Sequence, residues 1–148
     1  MAVLGCGRSG QSAAHLAIRE GAQVSIFDEG CSDKVQAAVE RLQEQGCQSF
    51  TGSEALKGNV EDFQLAVLSP GIAPEHRLAC RFTDAAVPLI GEMEFAFLFC
   101  SARIVGVTGT NGKTTTVELI AAMLNACGES TIAAGNYGSP LSEIVSRS

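Results

Sequence analysis

No two cysteines in this chain form a C-x-x-C pair, basic residues are in the minority, and no apolar run approaches the roughly 20 residues of a membrane span. The six cysteines stand at positions 6, 31, 47, 80, 100 and 127. That spacing fits neither a zinc site nor a dense disulfide scaffold, and it predicts reduced, mostly buried thiols in a cytoplasmic protein. The opening MAVLGCG has neither the basic n-region nor the long h-region of a signal peptide. Ten Lys+Arg against 16 Asp+Glu give a net charge of −6, which argues against a general nucleic-acid or acidic-membrane surface. No nucleic acid, membrane or obligate protein partner is expected. A small phosphate ligand stays open, because it needs only a few local donors.

What is present is a globular composition: 148 residues, 46% hydrophobic and 18% charged, enough chain to bury a core. Apolar runs alternate with amphipathic stretches. Strands are predicted at residues 1–4, 23–27, 48–51, 65–68 and 87–90. Helices are predicted at 9–20, 32–46, 75–85 and 92–100. Alternation of this kind implies parallel pairing, since a parallel partner requires a crossover. Residues 1–100 therefore read as a complete α/β unit, a Rossmann-like doubly wound parallel sheet. The pattern then restarts, with a strand at 103–107, a glycine-rich loop, a helix at 114–127 and another strand candidate at 131–134. That helix carries Val117, Ile120, Met123, Leu124 and Cys127 on one apolar stripe.

Two glycine loops carry the chemistry. Gly5-Cys6-Gly7-Arg8-Ser9-Gly10 fits G-x-G-x-x-G between a predicted strand and a predicted helix. The first glycine permits the tight turn, the second lets a phosphate approach, and the third allows close helix–strand packing. Asp28 ends the second strand, where an acid commonly meets a ribose hydroxyl. Ser69-Pro70-Gly71 follows the fourth strand as a stiff turn on the ligand-binding edge of such sheets. The second loop, Gly109-Thr110-Asn111-Gly112-Lys113-Thr114, bares backbone N–H groups to phosphate at a helix start. Lys113 offers a fixed charge to the β and γ phosphates, and Thr114 a hydroxyl suited to Mg²⁺. The general pattern G-x-x-x-x-G-K-[ST] would place glycine at Val107, so it fails by one residue. His15 and His76 have no convincing nucleophile beside them and receive no role.

GTNGKTT after an apolar strand resembles the ATP loop of the Mur ligase family and its folylpolyglutamate synthetase relatives, which tolerate a non-glycine at the position of Val107. Upstream, V-L-G-C-G-R-S-G, I-F-D, L-S-P-G-I and P-L-I-G-E-M-E-F resemble the amino-terminal domain of one member, and A-G-N-Y-G-S-P-L resembles its G-G-N-I-G-x-P loop. The resemblance implies a UDP-substrate domain over 1–100 and, over 101–148, the start of a P-loop ATPase-type α/β domain. It implies ATP and Mg²⁺ as cofactors, with Gly109, Thr110, Asn111, Gly112, Lys113, Thr114 and Thr115 around the nucleotide. Lys113 is then the catalytic candidate and Thr114 the metal ligand. Arg8, Ser9, Asp28, Ser69, Pro70, Gly71 and Asn136 are the implied substrate-binding residues. The implied substrates are UDP-N-acetylmuramoyl-L-alanine and D-glutamate, joined through an acyl phosphate. Glu29 and Gly30 depart from the Thr-Arg of better-known members. Family members draw further metal ligands and an amino-acid domain from later sequence, so an inactive amino-terminal fragment is expected.

Three rivals remain on the residues alone: an NAD- or nucleotide-sensing regulatory module, an NAD-dependent dehydrogenase, and another ligase of the same family. The first loop suits the first two; the second loop suits neither.

Overall fold

The computed structural model describes residues 1–135 and 138–147. Five strands, β1 (Ala2–Leu4), β2 (Ser25–Asp28), β3 (Gln48–Thr51), β4 (Ala66–Leu68) and β5 (Leu89–Gly91), form one sheet in the order β3-β2-β1-β4-β5. Every pair is parallel, with Val3 opposite Ile26 on one side and Val67 on the other. The helices are α1 (Arg8–Arg19), α2 (Asp33–Gln43), α3 (Arg77–Asp84), α4 (Glu92–Phe97), α5 (Lys113–Ala126) and α6 (Leu141–Arg147). Among the described residues no helix is long and apolar enough to cross a membrane.

Side chains alternate across a strand, and the sheet is buried on both faces. Val3, Ile26 and Val67 join Leu16 of α1 and Phe95 of α4 in one core. Ala2, Leu4, Phe27 and Ala66 join Leu78 and Phe82 of α3 in the other. There Phe27 stacks on Phe50 at 4.7 Å between ring centroids and meets Phe63 and Phe82 edge-on at 5.5 and 5.2 Å. Local chemistry sets the element ends. Ser32 Oγ accepts from Val35 N at 3.4 Å and caps α2. Val87, expected to open the fifth strand, instead donates its N–H to Phe82 O and closes α3. Pro88 has no N–H to give, so the ladder starts at Leu89.

The restart differs from expectation. Residues 103–107 and 131–134 carry no regular secondary structure and form no ladder. The five-stranded sheet takes up neither segment, and a strand without a neighbour has nothing to accept its hydrogen bonds. The helix of the restart does form, as α5. Its stripe is only partly covered: Val117, Ile120 and Leu124 are half-buried, Cys127 is exposed, and Met123 remains 68% exposed.

The chain then returns to the first unit. Helix α6, which the sequence pattern does not foretell, packs across α1 and α4, with Val145 in their core. Glu92, 2% exposed, accepts from the backbone N–H of Ser142 at 2.8 Å and from the hydroxyl of the same residue. Arg19 donates to the carbonyls of Val145 and Ser146 at 3.0 and 2.7 Å. Replacing Glu92 by leucine would leave both Ser142 donors without an acceptor. The expected cost is about 1–3 kcal/mol in urea unfolding, with faster amide exchange confined to α6. Unchanged exchange there would contradict this anchoring.

Candidate functional site

In the order 3-2-1-4-5 the strand direction of travel reverses between β1 and β4, and ligands of open α/β sheets settle outside the strand ends at that point. Both predicted front loops leave the sheet there. Gly5 follows β1 with φ +93°, and its N–H donates to Phe27 O at 2.7 Å. Ser69 follows β4; its N–H donates to Leu4 O at 3.0 Å and its buried hydroxyl to Gly5 O at 3.2 Å. The S-P-G turn is thus tied directly to the glycine loop.

The three glycines of this loop do different work. A Cβ on Gly5 would come within 3.0 Å of Ile72 Cδ1, and one on Gly10 within 1.9 Å of the Gly5 carbonyl oxygen. Gly10 is therefore where α1 jams against the end of β1. Gly7 has nothing within 4 Å of its Cβ direction and leaves the loop open toward a cavity of about 480 Å³. By helix geometry the first N–H groups of α1 have no intrahelical acceptor, so the wall of this cavity presents free donors and the positive end of a helix dipole.

Arg8, Ser9, Asp28, Ser69, Pro70 and Gly71 all line that cavity. The seventh predicted substrate residue, Asn136, lies outside the described residues. Asp28 is committed to the backbone: its carboxylate accepts from Cys6 N at 2.6 Å and from Gly30 N at 2.7 Å. It pins the loop, and a ligand reaches only its remaining lone pairs. Burial, helped by the neighbouring carboxylate of Asp28 and by Cys47, pushes the Cys6 thiol up to about 11, so it stays protonated at neutral pH.

Sequence reasoning missed the other end of the cavity. Glu29, Ile72, His76 and Leu78 also line it. His76 Nδ1 accepts from Leu78 N at 3.3 Å and caps α3, which leaves Nε2 facing Glu29 Oε2 at 3.5 Å. Arg77 pairs with the other oxygen of Glu29. The signal was available: residues 72–78 continue the S-P-G turn at the switch point.

The second loop stands open. Gly109 and Gly112 take φ +144° and +77°, and Gly112 precedes the first residue of α5, Lys113. The Lys113 ammonium folds back over its own loop, donating to the Gly109 carbonyl and to Thr110 O at 3.4 Å. Residues 109–116 are all exposed, so Asn111, Thr114 and Thr115 are free to meet a ligand. No cluster of three His, Cys, Asp or Glu side chains suited to a metal exists among the described residues. A cation here would rest on the Thr114 hydroxyl and on ligand and water oxygens, which suits Mg²⁺.

Residues 107–145 match the Mur ligase middle domain. The chain is 40% identical over 143 residues to a UDP-N-acetylmuramoylalanine--D-glutamate ligase of Streptococcus sanguinis, covering 97% of this chain and 32% of that protein. A Streptococcus pyogenes protein of the same name is 38% identical over 145 residues, covering 98% and 32%. The family model thus covers residues 107–145, and the likeness to these two ligases extends along almost the whole chain. The chain spans about a third of the length of these Mur ligase relatives. A solved murein peptide ligase from Psychrobacter arcticus, 22% identical, superposes with a TM-score of 0.54 over 86% of this chain and 26% of its own; at that identity it speaks to the fold alone.

A Gly10→Ala chain should lose on the order of 1–3 kcal/mol or more in urea unfolding, because backbone rather than a side chain must yield. Gly7→Ala, with open space and φ −69°, should unfold within about 0.5 kcal/mol of the parent. Equal effects of the two would contradict the roles given to these glycines.

Proposed function

We propose that this chain provides the UDP-precursor cradle and the ATP loop of a ligase that adds D-glutamate to UDP-N-acetylmuramoyl-L-alanine in peptidoglycan precursor synthesis. Residues 1–100 would form the UDP-substrate unit and 101–148 the opening of the ATP-binding unit. The observation that carries the reading is the pairing of the first glycine loop with the S-P-G turn at the β1/β4 switch point, in a chain 40% identical to such a ligase.

In this reading the diphosphate lies against the N-terminus of α1, held by the N–H groups of Arg8 and Ser9 and flanked by Ser69, Pro70 and Gly71. Asp28 keeps the loop in shape for it. Asn136 would meet the sugar and diphosphate. ATP would transfer its γ-phosphoryl group to the substrate carboxylate, leaving ADP, and the amine of D-glutamate would attack the carbonyl carbon of the resulting acyl phosphate, expelling inorganic phosphate and forming the amide. Lys113 leaves the Gly109 and Thr110 carbonyls to meet phosphate oxygens, neutralising charge where it develops. Residues 109–112 and 115 wrap the phosphates, and Thr114 supplies a hydroxyl to Mg²⁺. One hydroxyl makes a thin metal shell, so the 148 residues alone are expected to bind ligands without turning them over.

The dehydrogenase and NAD-sensor readings leave the second glycine loop without a role, although Asp28, accepting from two backbone donors, keeps lone pairs open to a ribose. Calorimetry with UDP, NADH and Mg²⁺-ATP separates the readings. UDP and ATP should bind independently, and Lys113→Ala should weaken ATP roughly 10- to 100-fold while sparing UDP. Preferential binding of NADH, or no binding of UDP, would overturn the proposal.

A further inference from the structure

A second cavity, of about 560 Å³, opens between α1 and α2. It shares Gly7, Arg8 and Asp28 with the front cavity but takes the rest of its wall from other residues. Arg8, Gln11 and His15 recur at helical spacing on one face of α1, and Lys34 and Val35 of α2 complete the wall. The function proposed above gives no role to Gln11, His15, Lys34 or Val35.

Most polar groups of this cavity are already engaged. The Arg8 guanidinium donates from Nε to Glu143 Oε2 at 3.1 Å, from Nη1 to Gly138 O at 2.8 Å and from Nη2 to Ser139 Oγ at 3.2 Å. Glu143 is thereby paired with a cation, and Asp28 accepts from Cys6 N and Gly30 N. Gln11 Nε2 donates to Cys6 O at 2.9 Å, and Ser12 Oγ to Arg8 O at 2.9 Å. Two side chains are left over. Among the described residues, neither Lys34 nor His15 has a hydrogen-bond or ion-pair partner. In a chain of net charge −6, the unpaired groups of this wall are thus an ammonium and an imidazole.

We propose that this cavity is a second anion site, apart from the front cradle, and that it takes a small phosphate monoester carrying hydroxyl groups. The Lys34 ammonium brings a full charge and three donors, and the His15 ring brings an N–H in either tautomer. Lysine binds phosphate as a point charge and needs no fixed fork, so two exposed side chains on neighbouring helices are enough to close on one oxyanion. Both carboxylates of the wall already hold N–H donors, which lessens their repulsion of an incoming anion. Asp28 also keeps lone pairs for a ligand hydroxyl. The volume falls within the roughly 300–1,000 Å³ usual for small-molecule sites and exceeds what a bare phosphate fills.

The test is a titration of the isotope-labelled 148-residue chain with glycerol 3-phosphate and with inorganic phosphate at constant ionic strength, following amide shifts. Wild type, Lys34→Gln and His15→Gln are compared. Saturable shifts are expected at Ser12, His15, Lys34 and Val35, with dissociation constants of about millimolar and glycerol 3-phosphate several-fold the tighter ligand. Lys34→Gln should weaken both ligands about fivefold and His15→Gln about twofold. Shifts confined to Gly7, Ser9, Ser69 and Gly71 would overturn the proposal, because the front cavity alone would then hold phosphate. Equal affinity in wild type and Lys34→Gln would overturn it, as would a linear drift that never saturates or equal binding of the two ligands. No arm of the test uses UDP, so its failure leaves the UDP-cradle reading standing, and failure of that reading leaves this one standing.

Discussion

The first unit depends on one close approach. Helix α1 can start directly at the end of β1 only because position 10 carries no side chain; a Cβ there would sit 1.9 Å from the Gly5 carbonyl oxygen. That contact places the free N–H groups of α1 at the mouth of the sheet, beside the turn that leaves β4. The hydrogen bond from Ser69 to Gly5 O fastens the two loops to each other, and Asp28 fastens the same loop to β2 through Cys6. These bonds join the first glycine loop, the S-P-G turn and the end of β2 into one wall of the cavity, which Arg8 and His76 also line.

The second half of the chain is organised from its ends. Residues 101–135 carry the lysine-bearing loop on a helix whose apolar stripe is partly covered. After them the chain comes back, and α6 buries Val145 and Ser142 against α1 and α4. The buried carboxylate of Glu92 is satisfied by two donors from one residue, the condition under which a buried charge is tolerable. The open loop is thus held between two segments that both belong to the packed body.

Much of this was legible in the sequence. Alternation of apolar runs with amphipathic stretches gave five strands and four helices in order, and glycine spacing located both loops. Boundaries shifted where a backbone donor was unavailable, as at Pro88. Residues 103–107 read as a strand because their apolar pattern is that of one, yet a ladder is a property of two segments and no neighbour pairs with them among the described residues. Helix α6 was hidden because L-S-E-I-V-S-R is short and mixed, and its support comes from Glu92, 50 positions away. The direction of the Arg8 side chain, and the Glu29–His76 wall of the cavity, depend on three-dimensional neighbours that no spacing rule reports.

The central claim is that a uridine diphosphate sits on the N-terminus of α1 at the β1/β4 switch point. Amide chemical-shift mapping of isotope-labelled chain during a UDP titration tests it most directly. The account predicts saturable shifts concentrated at Gly7, Arg8, Ser9, Ser69 and Gly71, with the amides of 109–115 left in place. Shifts confined to 109–115, or no shifts at the front loop at saturating UDP, would contradict it.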